Sequence, residues 1–233
     1  MYLTQAQMEQ PRAPGELLSW VESKGREMAS TREGKTYARS RAPLPKKFCE
    51  ELRPLALFAA HRYGGRSDVR LLPNLNNEGF DARITVPGEA PAFVEITYAK
   101  DGRDEALRFE VLRRDRRVNW LAPITELPPK GRQRRVIIPN DMVPKDNTVR
   151  ANLNLVASRL RGKANASYGL QYTLIVVVDD YTAFNDRQGV EILDRFVKAQ
   201  ISSIRLDFRE LVILGASGRL FLTYGLASAR SNQ

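Results

Sequence analysis

Apolar residues recur every three or four positions in five stretches of the chain, a spacing that predicts helices. In the first stretch Leu17, Val21 and Met28 share one face, although Gly25 weakens the pattern. In the second, Pro54 predicts a kink or a later start. The polar, basic residues 31–47 predict a loop. The predicted helices cover residues 16–30, 45–63, 103–120, 147–169 and 189–204.

Strand patterns of two kinds lie between these helices. The stretch FDARITVPGEAPAFVEIT, residues 80–97, alternates apolar and polar positions on both sides of a Pro-Gly turn and predicts a hairpin. The run QYTLIVVVDD, residues 171–180, is continuously apolar, which is typical of a central strand buried on both faces. Residues 209–225 predict two more strands around the turn Gly-Ala-Ser-Gly.

This order of elements predicts an α/β domain in which helices flank a mixed sheet. We divide the chain into a helical, basic extension over residues 1–44 and an α/β domain over residues 45–233. Residues 121–147 carry five prolines and a basic run, which predicts an irregular insertion with at most a short strand.

Charge and cysteine content narrow the function classes. Lys and Arg number 37 against 27 Asp and Glu, which favours a polyanionic partner, above all nucleic acid; a role in solubility alone stays open. The single cysteine, Cys49, excludes an internal disulfide, and the single histidine, His61, excludes a histidine-built zinc site. No signal-peptide pattern opens the sequence, and the longest apolar run, residues 172–178, is too short for a bilayer, so a soluble, cytoplasmic protein is expected.

Basic residues concentrate in two runs, RRDRR at residues 113–117 and KGRQRR at residues 130–135. Such side chains neutralise phosphates without reading sequence, although a solvated helix face is the alternative. Trp120 offers an aromatic ring for base stacking. The candidate nucleic-acid-binding residues are Arg83, Arg113, Arg114, Arg116, Arg117, Lys130, Arg132, Arg134 and Arg135.

Two carboxylates stand inside the predicted hairpin. Strand alternation places Asp81 and Arg83 on one face of the first strand, and Glu95 and Thr97 on the matching face of the second. A five-residue loop would set Arg83 opposite Glu95 and Asp81 opposite Thr97, with the two carboxylates as diagonal neighbours that one Mg²⁺ could bridge. The alternative is an ordinary Arg83–Glu95 ion pair with Asp81 accepting hydrogen bonds near the strand start.

Another pair of carboxylates, Asp179 and Asp180, ends the predicted central strand. This position in an open α/β sheet often holds a ligand, so a phosphoacceptor or metal site is one interpretation. The favoured interpretation is that these residues simply begin a loop.

From about residue 48 to residue 224 the chain resembles the PD-(D/E)XK, or restriction-endonuclease-like, nuclease superfamily. Asp81 matches the family's aspartate, and Glu95 in the run Val-Glu-Ile-Thr matches the glutamate of its Glu-x-Lys motif. The resemblance implies that Asp81 and Glu95 bind Mg²⁺ or Mn²⁺ and that the protein hydrolyses phosphodiester bonds, with DNA favoured over RNA. It also points to a prokaryotic setting in defence, repair or mobile elements. A homodimer or larger complex stays open.

Thr97 stands where the family has lysine, and a threonine supplies no positive charge. Three basic residues are candidates to replace it: Lys100, Lys163 and Arg83, in that order. The expected catalytic set is therefore Asp81, Glu95, Thr97, Lys100 and Lys163. Glu50 or Glu51 would either add an outer ligand or belong to a solvated helix face. The departure at Thr97 leaves two alternatives, a catalytically silent nucleic-acid-binding or assembly subunit and a module that binds an acidic protein.

Overall fold

The computed structural model describes residues 2–40, 42–76, 79–130, 133–139 and 141–226. Its helices are α1 (Gln5–Met8), α2 (Pro14–Ser30), α3 (Arg32–Ala38), α4 (Pro43–Lys47), a π-helical turn (Phe48–Leu52), α5 (Arg53–Tyr63), α6 (Gly102–Asp115), α7 (Lys145–Ala164) and α8 (Arg187–Ser203). Its strands are β1 (Arg70–Pro73), β2 (Ala82–Thr85), β3 (Ala92–Tyr98), β4 (Thr125–Lys130), β5 (Gln133–Ile137), β6 (Ser167–Val178), β7 (Asp207–Gly215) and β8 (Phe221–Gly225).

Six strands form one mixed sheet in the order β1-β2-β3-β6-β7-β8. The first three are antiparallel neighbours, β3, β6 and β7 run parallel, and β8 returns antiparallel to β7. Parallel neighbours need a crossover connection, which α6 and α7 supply between β3 and β6, and α8 supplies between β6 and β7. The predicted α/β class with a mixed, helix-flanked sheet is confirmed.

Helices cover both faces of this sheet. On one face Ile175 and Val177 of β6 pack in a cluster with residues of α2 and α5; on the other, Leu174 and Val176 pack with residues of α7 and α8. Successive side chains of a strand point to opposite faces, so a strand between two helical layers must be apolar at every position. The prediction that this run is a central strand buried on both faces is confirmed.

The N-terminal part of the chain contains more regular structure than the sequence predicted. Residues 31–47 are not a loop but hold α3 and α4. Thr31 begins α3 by accepting a hydrogen bond from Gly34 N–H at 2.9 Å, and Pro43 opens α4 at a position where its missing N–H costs nothing. The side chains of Leu3, Met8 and Leu17 are fully buried in the cluster that also contains the sheet residues.

The insertion at residues 121–147 is also more ordered than predicted. It carries the hairpin β4–β5, which packs on α6 through a small apolar cluster of Leu107, Val111 and Val136. Helix α6 ends at Asp115, about five residues earlier than predicted, with Arg116 in the left-handed region at φ 63°. None of the helices in the described part of the chain has the length and apolar content that a bilayer span requires.

Candidate functional site

The hairpin β2–β3 brings Asp81 and Glu95 together, although not in the predicted register. Ala82 pairs with Val94, and Asp81, the residue before β2, donates its N–H to Val94 O at 2.8 Å, which brings Asp81 close enough to Glu95 for the charge of Glu95 to act on it. The predicted pairing of Arg83 with Glu95 is wrong, because Arg83 pairs with Phe93. The last paired residues leave seven residues, 85–91, in the connection instead of five, and this two-residue shift keeps every side chain on its predicted face.

Strand β3 extends beyond the end of β2, and the Asp81 side chain takes the place of the missing backbone partner. Asp81 Oδ2 accepts a 2.6 Å hydrogen bond from Ile96 N–H. A buried N–H without a partner is costly, so this bond holds the carboxylate at the edge of β3. Its position is therefore set by the backbone of the strand that carries Glu95.

Lys163 completes the pair with a positive charge. It lies in the last turn of α7, and its Nζ donates to Glu95 Oε1 at 2.5 Å and to the Tyr168 hydroxyl at 3.1 Å. Burial acts to lower the pKa of Lys163, but the hydrogen bonds to Glu95 and Tyr168 and the charge of Glu95 outweigh it and raise the pKa overall. Lys163 is thus fixed as an ammonium against Glu95.

Glu51 is a third carboxylate at this place. It lies in the π-helical turn, where Arg53 N–H bonds to Phe48 O five residues back; Pro54, which follows, has no N–H to continue an α-helical pattern. Glu51 Oε2 is buried without a hydrogen-bond partner among the described residues, and Lys47 Nζ lies 3.7 Å away. Pro54 was the sequence signal for this irregular turn. We refer to Glu51, Asp81 and Glu95 as the carboxylate cluster.

The carboxylate cluster is short of positive charge. Burial first, and then the charge of Glu95, raise the pKa of Asp81 to about 6. Burial and then the charge of Asp81 raise the pKa of Glu51 to about 7, despite the nearby Lys47 ammonium. Both raised pKa values mean that ionising these carboxyl groups costs free energy in the folded protein. Such shifts are common at functional sites, and a bound cation would lower the cost.

A hard divalent cation fits this donor set. Asp81 and Glu95 each use one oxygen, and the second oxygen of each has no hydrogen bond to a described residue. Within the described ranges, no three His, Cys, Asp or Glu side chains are grouped closely enough to hold a metal on their own. Mg²⁺ usually takes only one or two carboxylates and fills its shell with water and substrate phosphate, so two protein ligands suffice.

The other two expected catalytic residues lie to one side of this pair. Thr97, two positions after Glu95 on the same face, lines a cavity of about 240 Å³ together with Glu51 and Lys100. The Lys100 ammonium bonds to Glu50 at 2.9 Å and to Glu105 at 2.8 Å, not to Asp81 or Glu95. The structure therefore places Lys163, the second-ranked candidate, and not Lys100 on the predicted metal ligands.

The first basic run, at the end of α6, and Arg135 of the second belong to one unit built from α6 and the β4–β5 hairpin. Arg113, Arg116, Arg117 and Arg135 are exposed. Arg114 pairs with Asp115 and also donates to Val136 O at 3.4 Å, which joins the end of α6 to β5. Arg83 is exposed on β2. The side chains of Lys130, Arg132 and Arg134 lie outside the described residues.

Asp179 and Asp180 stabilise turns at the end of β6. Asp179 Oδ1 accepts from Tyr181 N–H at 2.9 Å. Asp180 is buried, and its carboxylate accepts from both the N–H and the hydroxyl of Ser217 in the β7–β8 turn. The interpretation that these residues begin a loop accounts for every one of these contacts.

Comparisons with protein-family models, with curated proteins and with solved structures return no match for this chain. What the site does is therefore inferred from its own side chains. Those side chains are two neighbouring carboxylates, a third with an oxygen that accepts no hydrogen bond from a described residue, and a lysine bound to one of them.

Proposed function

We propose that this protein is a metal-dependent nuclease of the PD-(D/E)XK type, which hydrolyses phosphodiester bonds at the carboxylate cluster. The observation that carries the proposal is the contact between Lys163 and Glu95, whose charge also acts on the neighbouring Asp81. It supplies the two acidic groups and the cation that this chemistry requires.

Asp81 and Glu95 would hold Mg²⁺ or Mn²⁺, and Glu51, whose pKa is raised in part by the charge of Asp81, would contact waters bound to the cation. The bound ion would lower the pKa of a water molecule and stabilise negative charge on the phosphate. Asp81 is already oriented by the Ile96 N–H, so its carboxylate needs little rearrangement to serve as a ligand.

Lys163 would take the role of the lysine that Thr97 replaces. It is anchored by the Tyr168 hydroxyl as well as by Glu95, which fixes its ammonium beside the reacting phosphate. A fixed positive charge in a partly buried site stabilises the charge that develops in the transition state. Thr97, two residues after Glu95 on the same face of β3, would contact the attacking water or a phosphate oxygen through its hydroxyl.

The strand arrangement supports a restriction-endonuclease-like fold. In that family one strand carries the aspartate and a second strand carries the glutamate, and a helix and then a buried strand follow. Here Asp81 immediately precedes β2, Glu95 lies in β3, and the buried strand β6 lies beside β3 after α7. The position of Lys163 on α7, in contact with β3, fits a lysine that has moved from the strand to the helix.

Nucleic acid is the proposed substrate because the positive charge extends outward from the cluster. Glu105, near the start of α6, bonds to Lys100 beside the 240 Å³ cavity. Arg113 follows eight residues later on the same helix, about 12 Å along its axis at 1.5 Å per residue. The exposed arginines at that end would neutralise phosphates of a strand that passes through the cluster. DNA is favoured over RNA on the family resemblance.

The test is a nicking assay on supercoiled plasmid with Mg²⁺ or Mn²⁺. Cleavage should require the metal and should be lost in Asp81→Asn and in Glu95→Gln. Matched controls are Asp68→Asn and Glu191→Gln, whose carboxylates are exposed and paired with arginines elsewhere on the surface. Metal-independent activity, or equal activity in the four variants, would rule out the proposal.

A second candidate is a catalytically silent nucleic-acid-binding subunit with the same fold. It is favoured by Thr97 at the motif-lysine position and by the Lys163 ammonium, which already compensates the charge of Glu95. This candidate predicts salt-sensitive binding of nucleic acid that survives Asp81→Asn and Glu95→Gln, with no cleavage in any of the proteins.

A further inference from the structure

A row of side chains crosses four strands next to the carboxylate cluster. Leu72 pairs with Arg83, Arg83 with Phe93, and Phe93 with Tyr172, so these four residues lie in register from β1 to β6. Phe93 and Glu95 are two positions apart on β3 and share a face, which puts this row about 7 Å from the acidic residues. The row therefore borders the place where a scissile phosphate would lie.

Aromatic rings are concentrated along this row. The ring centroids of Phe80 and Phe93 are 4.8 Å apart, those of Phe93 and Tyr172 are 5.1 Å apart, and Tyr172 lies 5.3 Å from Tyr168. Tyr168 is also the residue whose hydroxyl accepts from Lys163. The aromatic series thus runs from the residue before Asp81 to the residue that anchors the lysine.

A cavity of about 320 Å³ opens at the Phe80 and Phe93 end of the row. Its other lining residues include the exposed Arg83 and Asn76 and the carboxylate of Glu9. Phe80 and Phe93 are only half-buried. The cavity combines two half-buried aromatic rings with the donors of Arg83 and the acceptors of Glu9, and we call it the aromatic cavity.

We propose that the aromatic cavity binds an unpaired nucleobase of the substrate, so that the protein acts on single-stranded nucleic acid; this inference rests on the proposed nuclease function. Unstacked bases are recognised by stacking on aromatic rings and guanidinium planes and by hydrogen bonds to their edges, which are the groups that line this cavity. The base edge would face Arg83, Asn76 and Glu9, while its phosphate would reach the neighbouring carboxylate cluster.

Duplex nucleic acid fits this arrangement poorly. A paired base is stacked on both neighbours, and its edge is occupied, so it must be extruded before it can enter a cavity in the sheet. The same change costs an unpaired base much less free energy. The cavity therefore favours a single strand over the same sequence in a duplex.

The test measures binding in EDTA, where metal-dependent cleavage cannot occur. Fluorescence anisotropy follows a labelled oligothymidylate of about 20 nucleotides and the same strand in a duplex with oligodeoxyadenylate. Phe93→Leu keeps apolar volume and removes the ring, and Arg83→Gln changes an exposed side chain of the same cavity. The control is Phe196→Leu, since Phe196 is half-buried on α8 and packs in the cluster on the α7–α8 face of the sheet.

Wild type should bind the single strand at least about tenfold more tightly than the duplex, and Phe93→Leu should weaken single-strand binding by about 5- to 100-fold. Phe196→Leu should bind as wild type does. Equal affinity for the single strand and the duplex would overturn the inference, and so would unchanged single-strand binding in both Phe93→Leu and Arg83→Gln. If Phe93→Leu does not fold, the single-strand affinity of Arg83→Gln is the deciding measurement. Metal-dependent nicking with no preference for single strands would contradict this inference and leave the nuclease proposal standing. Binding that depends on Phe93, in a protein that does not nick, would contradict the nuclease proposal and leave the aromatic cavity as a base-binding site.

Discussion

Lys163 donates a hydrogen bond of 2.5 Å to Glu95, a residue 68 positions earlier in the chain. The helix that carries Lys163 packs on the strand next to β3, and the lysine points from this helix toward the face that Asp81 and Glu95 share. The contact joins the acidic hairpin to a cation that no local motif contains. We therefore propose that the charge missing at Thr97 is supplied from α7.

Lys163→Met tests this assignment. The substitution keeps the length of the side chain and removes its charge, so we expect metal-dependent nicking to fall by about 100- to 1,000-fold through loss of transition-state stabilisation. Lys163→Arg should retain more activity than Lys163→Met because it keeps the charge. Lys198→Met on α8 is the matched control, since Lys198 pairs with Asp194 on the surface. Full activity of Lys163→Met would show that another residue supplies the cation.

The carboxylate cluster should make the protein less stable as pH rises. The folded-state pKa of Asp81 is about 6 against an ordinary 3.8, so the folded protein retains this proton where the unfolded chain has lost it. The free energy of unfolding therefore falls as pH rises from about 4 to about 6, and Glu51, with a pKa of about 7, extends the fall to about pH 7.

Asp81→Asn should remove the part of this decrease in the free energy of unfolding that is caused by ionisation of Asp81. The variant keeps an oxygen to accept from Ile96 N–H, so at pH 8 it should be more stable than wild type by on the order of 2 kcal/mol. At pH 4 the two proteins should differ little. Urea denaturation at both pH values measures this, and Asp68→Asn serves as the control. A variant less stable than wild type at pH 8 would mean that the ionised carboxylate is stabilised in the free protein.

The arginines at the end of α6 should set the salt dependence of nucleic-acid binding. Replacing Arg113 and Arg117 together with glutamine should weaken binding uniformly across sequences. It should also lower the slope of log affinity against log salt by about 1 for each phosphate that these two side chains neutralise. Arg187→Gln with Arg195→Gln on α8 is the control with the same change in net charge. Equal slopes in both double variants would place the nucleic acid elsewhere on the surface.

Asp180 is expected to be structural. It is buried and accepts both hydrogen bonds that Ser217 offers, and a Cβ on Gly215 would lie 2.0 Å from its Oδ2, so the site has no room for a ligand. Asp180→Ala should lower the free energy of unfolding by about 2–3 kcal/mol, because the Ser217 N–H would be left without its acceptor, while nicking at a permissive temperature persists. Loss of nicking in a folded Asp180→Ala protein would contradict this assignment.

Local sequence patterns predicted most elements of the fold. The β-branched run of β6 and the amphipathic α8 were predicted because each keeps one apolar pattern: residues 173–178 of β6 are all buried, and α8 buries Leu193 and Val197 on one face. In contrast, β1 is only four residues long, and its place at the sheet edge depends on pairing with β2. Helices α3 and α4 were predicted as a loop because their residues are mostly polar; packing of α3 beside α2, and of α4 against the π-helical turn, decides their state.

Sequence reasoning identified the neighbouring carboxylates but not their full surroundings. Alternation predicted the correct faces for Glu95 and for the paired residues of β2, since a two-residue error in the register leaves the alternation of faces unchanged. The contact with Lys163 and the approach of Glu51 depend on how α7 and the π-helical turn pack on β3, which periodicity does not encode. Lys100 was ranked first because the strand could bulge or end before it; β3 does end at Tyr98, yet Lys100 binds Glu50 and Glu105.

Anomalous diffraction from a crystal soaked in Mn²⁺ tests the proposed metal site most directly. We expect a peak between the carboxyl groups of Asp81 and Glu95 that is absent in crystals of the Glu95→Gln variant. Crystals with Mn²⁺ bound only elsewhere, and with the Lys163–Glu95 contact unchanged at full Mn²⁺ concentration, would contradict the assignment of these two carboxylates as metal ligands.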